Sequence, residues 1–288
     1  SAYVLLESAK EKLSRKDWPL LLTELGYVYE RRGKLSKAAD YALEGLKLGD
    51  SLHDLKTRAM AYSDLSNLFW KQSKFKKGIE YGLQSEELFK QRGIKDMDYS
   101  FTLYVIGNNY LSIKDYQNAQ QYFKLALAQS EHYQFYNNLA DIYIALVDLY
   151  TITGDYAKAE TQARQAIRYS TLLNNNFMLM RSWLSLAKLQ NLQKHYDAAI
   201  ASLKTCLETA TRNFGDEFFL NQAYKELGKA YAGKGNYKDA DTAFLKYDDL
   251  KDSVFTAESD QRVATCQTDF EVAQKESTIK TQQQTLAQ

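Results

Sequence analysis

The segment Gly228-Lys229-Ala230-Tyr231-Ala232-Gly233-Lys234-Gly235 comes nearest to a reaction motif in this chain, because its glycines and lysine follow the spacing of a phosphate-binding loop up to the last position. Such a loop needs a preceding strand and a closing Ser or Thr to hold magnesium, and Gly235 stands where that hydroxyl belongs. His53, His132 and His195 are far apart in sequence, and none has a metal-ligand type four residues away, so they make no metal site. Cys206 and Cys266 are too few for a disulfide framework, lack metal spacing, and sit among apolar helical positions as small buried hydrophobes. Nothing assembles a nucleophile, a base and an orienting group. The expectation is a non-catalytic chain without cofactor or metal, whose chemistry is recognition.

Composition narrows what is recognised. The 288 residues carry 37 basic and 36 acidic side chains, a net charge of +1, which leaves no global field to attract nucleic acid or an anionic membrane. No apolar run reaches the roughly 18–20 residues of a membrane span, and the first residues lack the basic-then-apolar order of a signal peptide. Any membrane link is therefore expected through flanking segments. A 45% hydrophobic and 25% charged balance is that of a folded, soluble chain. Average usage of about 5% would give about fourteen prolines; there is one, Pro19, which points to continuous helix.

The glycines and aromatics that resemble motif residues belong to a repeat. Leu35, Phe75, Tyr116, Tyr156, Tyr196 and Tyr237 are spaced by 40, 41, 40, 40 and 41 residues, and each is followed three residues later by Ala38, Gly78, Ala119, Ala159, Ala199 or Ala240. Ten residues ahead of each aromatic lies a second column, Leu25, Leu65, Ile106, Leu146, Leu186 and Leu227, followed by a mostly small residue (Gly26, Ser66, Gly107, Val147, Ala187, Gly228). Bulky residues at −3 and +4 from that column place all of these positions on one helical face. Each unit reads as helix, short turn, helix. Gly33, Gly154, Gly235 or a polar substitute provides the left-handed helix stop, and Tyr116, Tyr156, Tyr196 and Tyr237 are expected in the core.

This pattern resembles the tetratricopeptide repeat, whose consensus is carried nearly whole by Tyr224, Leu227-Gly228, Tyr231, Gly235-Asn236-Tyr237 and Ala240. The period of 40 exceeds the family's about 34 residues, and the usual closing proline is absent, so a wider superhelix is expected. The resemblance implies an all-α, right-handed solenoid with a C-terminal extending helix. Residues 1–18 would be the second helix of a truncated upstream repeat, 19–252 six helix pairs, and 253–288 a capping or connecting helix. In that last segment Val263, Cys266, Phe270 and Ala273 suit a capping face, Val272, Ile279 and Leu286 make a weak heptad, and disorder after about Lys275 is the alternative reading.

A forty-residue period leading into a polar helix is similar to the N-terminal region of Bacteroidetes-type membrane sensors, in which such repeats precede a membrane span and a histidine kinase or helix-turn-helix regulator. That resemblance implies a periplasmic input domain. A cytoplasmic scaffold, adaptor or peptide-responsive regulator is the alternative. The family resemblance also implies that first helices line a concave groove for a protein or peptide ligand. By register the groove holds Asn67, Trp70, Tyr104, Asn108, Asp148 and Arg181, with Asn67 and Asn108 in the asparagine column that holds a peptide backbone. The family's carboxylate clamp is absent, since Ser63 and Tyr104 stand four residues before those asparagines. No nucleic-acid partner is expected, and the heptad suggests a homodimer through the C-terminal helix.

Overall fold

The computed structural model describes residues 2–212 and 217–254. A first helix, α1 (Ala2–Lys10), precedes six antiparallel pairs. These are α2 (Trp18–Arg31) with α3 (Leu35–Leu52), α4 (Leu55–Lys71) with α5 (Phe75–Arg92), and α6 (Met97–Ser112) with α7 (Tyr116–His132). They continue as α8 (Tyr136–Ile152) with α9 (Tyr156–Leu172), α10 (Asn176–Leu192) with α11 (Tyr196–Arg212), and α12 (Glu217–Gly233) with α13 (Tyr237–Val254). The pairs stack into a right-handed, all-α solenoid. On α1, Leu6 and Ala9 pack against the buried core. The expected helix over 253–288, with Cys266 and the heptad, lies outside the described residues except for the end of α13.

Local chemistry fixes the boundaries. Asp54, Asp96, Asp115, Asp155 and Asn175 each accept a backbone N–H from the first turn of the helix they precede, supplying a partner to a donor the helix cannot satisfy itself. Within pairs the chain reverses through one left-handed residue. Gly33, Gly154 and Gly235 hold φ of 72°, 82° and 82°, and Ser73, Lys114 and Lys194 take the same turn at 60°, 66° and 61°. The small column does what its spacing predicts: Ala38, Gly78, Ala119, Ala159, Ala199 and Ala240 are all buried where the two helices of a pair cross.

Gly107 shows how tight the crossing is. A Cβ added there would lie 2.5 Å from the ring of Phe123, a side chain with no exposed surface and no room to swing away. Gly107→Ala is expected to lower stability by about 1–2 kcal/mol, the overpacking cost outweighing the gain in helix propensity; the midpoint of urea unfolding checks it.

One expectation needs correction. The turn aromatics are not core residues: Tyr156 is 38% and Tyr237 73% exposed, and Tyr116 and Tyr196 are half-buried. They sit at the rim of a pair, where they meet the next unit's first helix, as Tyr196 does at Gly233. Tyr237 belongs to the last described pair, with no further described pair to lie against. Across the concave side the two ends of the array come into contact. One buried apolar cluster joins units one, two, five and six, while a second fills units three and four. The two ends of the array meet across the concave side because bulky side chains there bury each other.

Candidate functional site

The concave face is lined by the first helices α2, α4, α6, α8, α10 and α12, and the register places equivalent positions of successive units side by side. Arg181 and Asp141 stand five residues before the leucine column, forty apart, and their side chains form an ion pair with only 8% and 7% exposure. Lys188 and Asp148 stand two after it, also forty apart, and pair at 3.3 Å. A charge pattern repeated at the period of the array thus becomes a ladder up its inner wall.

Arg181 is the central strut. Beyond Asp141 it donates from Nη2 to the Tyr104 hydroxyl at 2.7 Å, and its guanidinium lies 4.7 Å from the ring centre of Phe219 and 5.4 Å from that of Phe177. It ties units three, four, five and six together. Burial works to lower its pKa, and Tyr104 and Asp141 more than reverse that, holding the guanidinium charged. Burial pushes the Asp141 carboxyl up, against the pull of Arg181, and pushes the Tyr104 phenol up as well.

The clasp between the two ends is built from aromatics and cations. The ring of Trp70 lies 5.5 Å from Phe218 and 6.4 Å from Phe219, and its indole N–H donates to Ser112 Oγ at 2.9 Å. Lys71 Nζ sits 5.1 Å and 5.2 Å from the same two phenylalanine rings, and Arg31 lies 3.9 Å over Phe177. These contacts join units one and two to five and six. A cation over a ring face gains about 0.5–2 kcal/mol depending on desolvation, so the clasp combines directional attraction with apolar burial.

Beneath the clasp lies a cavity of ≈ 390 Å³. Asn67, Trp70, Tyr104 and Arg181 are on its wall. A second, smaller space of ≈ 40 Å³ lies beyond the strut and is bordered by Trp70, Tyr104, Asn108, Asp148 and Arg181. All six residues picked out by register therefore border the two spaces, with Trp70, Tyr104 and Arg181 forming the partition. Asn67 donates to Glu30 Oε1 at 3.0 Å, and Glu30 also pairs at 3.0 Å with Lys71, whose side chain is 2% exposed.

Register missed Glu24, Glu30, Asp64, Lys71, Phe177 and Phe219 on or beside the chamber. For two of them a signal existed: Glu24 and Asp64 both stand one residue before the leucine column, so adjacent units bring them to one wall. The phenylalanines had none, because their partners are several units away and depend on how tightly the solenoid winds.

Two tetratricopeptide-repeat family models match the chain, over residues 98–171 and 181–213. No curated protein matches it by sequence. Among solved structures, it is similar to a Rap protein complexed with competence and sporulation factor, at 13% identity and a TM-score of 0.68, covering 88% of this chain and 80% of that one. It is also similar to NprR in complex with its cognate peptide NprX, at 15% identity and a TM-score of 0.62, with 96% and 82% covered. Aspartyl phosphate phosphatase F from Bacillus subtilis follows at 16% identity, a TM-score of 0.62, and 85% and 63% covered. The matched stretches fall on units three to five and the same columns run through the other three, which makes this chain a tetratricopeptide-repeat protein.

Proposed function

We propose that the chain is a non-catalytic, peptide- or protein-binding domain that takes a short peptide segment into the concave chamber. The observation that carries this is the cavity of ≈ 390 Å³ lined mainly by first helices, with amides, aromatics and charges converging on it. The fold is shared with a Rap protein and with NprR, both of them solved with a peptide or factor. Because each unit touches mainly its neighbours, a ligand that wedges the chamber competes with the clasp and changes the curvature of the array.

The biological setting we favour is the periplasmic input region of a membrane-bound bacterial histidine kinase or transcriptional regulator. The forty-residue period and the polar segment after Leu250 support it. The likeness of fold to NprR favours a second reading, a cytoplasmic peptide-responsive regulator. Protease digestion of spheroplasts from the native bacterium separates them: degradation before inner-membrane lysis supports the first, protection until lysis the second.

The binding reading is tested by immobilising the chain and equilibrating it with a pool of random synthetic pentapeptides. Retention above blank resin is expected, with a loss of about tenfold when Asn67→Ala and Asn108→Ala are combined. Undiminished retention by the double variant would place the ligand elsewhere.

A further inference from the structure

Five carboxyl groups border the large chamber, those of Glu24, Glu30, Asp64, Asp98 and Asp141, against two cations, Lys71 and Arg181. Three of the five are neutralised within the protein: Glu30 by Lys71, Asp141 by Arg181, and Asp98 by Lys56 at 2.8 Å. Asp64 and Glu24 are different. Among the described residues no side-chain hydrogen bond or ion pair reaches either of them.

The environment of Asp64 makes the vacancy chemical as well as geometric. It sits in the wall of α4, part-buried, with the chamber as its open side. Burial first, and then the charges of Glu30, Asp98 and Glu24, push its carboxyl well above the ordinary range. Of the lysines paired beside these carboxylates, Lys71 is held by Glu30 and Lys56 by Asp98 with Asp96. A part-buried carboxyl facing three others without a counter-ion costs stability, and groups perturbed in this way cluster at binding and catalytic sites.

We infer that the chamber recognises a cationic group of its peptide, a lysine or arginine side chain or a free N-terminal ammonium, with Asp64 as the counter-charge and the exposed Glu24 adding to the negative field beside it. This rests on the peptide-binding reading above. Asn67 and Asn138 also border the chamber and, with their amide N–H groups engaged by Glu30 and Met97 O, present amide oxygens to main-chain N–H groups, while Trp70 and Tyr104 offer flat apolar surface to the stem of the cationic side chain.

The test uses the random pentapeptide pool with half of it N-acetylated, and reads the composition of what is retained. Enrichment of Lys or Arg by about tenfold in the acetylated half identifies a side-chain cation, and preferential retention of the free-amine half identifies the terminal ammonium. Either supports the proposal, provided the enrichment is lost in Asp64→Asn while peptides still bind. Peptides retained without basic enrichment, or with the same enrichment in Asp64→Asn, overturn it and leave peptide binding standing. Retention of nothing by the native chain overturns both.

Asp64→Asn is isosteric and has an independent readout. The carboxyl is raised in the folded state, so the folded chain binds more protons than the unfolded one above the ordinary aspartate value of about 4. Native stability therefore falls relative to the variant as pH rises through that value, and the gap widens until the folded group is fully ionised. A variant less stable than the native chain at neutral pH would show that Asp64 has a partner and overturn the proposal.

Discussion

Arg181→Met is expected to lower the free energy of unfolding by about 3–5 kcal/mol, the largest single effect in the molecule. The substitution keeps an unbranched apolar stem while removing the guanidinium, so Asp141 is left 7% exposed with its counter-ion gone. The Tyr104 hydroxyl loses its donor at the same time, and the rings of Phe177 and Phe219 lose the cation between them. Adding Asp141→Leu to the same chain is expected to recover part of the loss, because a buried pair replaced as a whole costs far less than one broken in half. Urea unfolding followed by circular dichroism measures both. A loss below about 1 kcal/mol, the range of a surface ion pair, would mean that Arg181 is solvated.

Trp70→Ala is expected to cost about 3 kcal/mol, the low end for truncating a core aromatic, since the indole is half-buried. Its signature is in shape as much as in stability. The indole holds Phe218 and Phe219 from unit six and Ser112 from unit three, so its removal frees the ends of the solenoid from each other. Small-angle scattering is expected to show a larger maximum dimension for the variant under conditions where helix content is unchanged. The same dimension in both proteins would mean that the ends are held apart from Trp70.

The repeat was legible in the sequence because helix pairing is local: Gly107 and Phe123 meet within one unit, and their spacing encodes the contact. Six pairs, their left-handed turns and the small crossing residues follow from that alone. The site was partly legible by the same logic. Asp141 with Arg181, and Asp148 with Lys188, are separated by one period, so neighbouring units must bring them together. What the columns do not encode is the winding of the whole array. The meeting of Trp70 with Phe218, or of Arg31 with Phe177, sums small rotations over four units. That is why the columns foretell a superhelix but not the clasp between its ends. The rim position of Tyr237 has a related cause, since an aromatic at a repeat's turn is buried only to the extent that the next unit covers it.

The clasp also bears on how a ligand acts. Its aromatic and cationic contacts connect units one and two to five and six, and the chamber lies beneath them. A peptide that enters must share that space with Trp70 and Arg181, so binding and winding are coupled by the same side chains.

The closure of the groove is the claim from which the chamber, its charge and its ligand all follow. Nuclear Overhauser contacts in a deuterated chain protonated only at tryptophan and phenylalanine test it directly. Ring centres 5.5 Å and 6.4 Å apart predict cross-peaks from the Trp70 indole to both Phe218 and Phe219, lost in Trp70→Ala. An indole that shows cross-peaks only to phenylalanines of its own and adjacent units would mean that the ends of the solenoid do not meet and that the chamber does not exist.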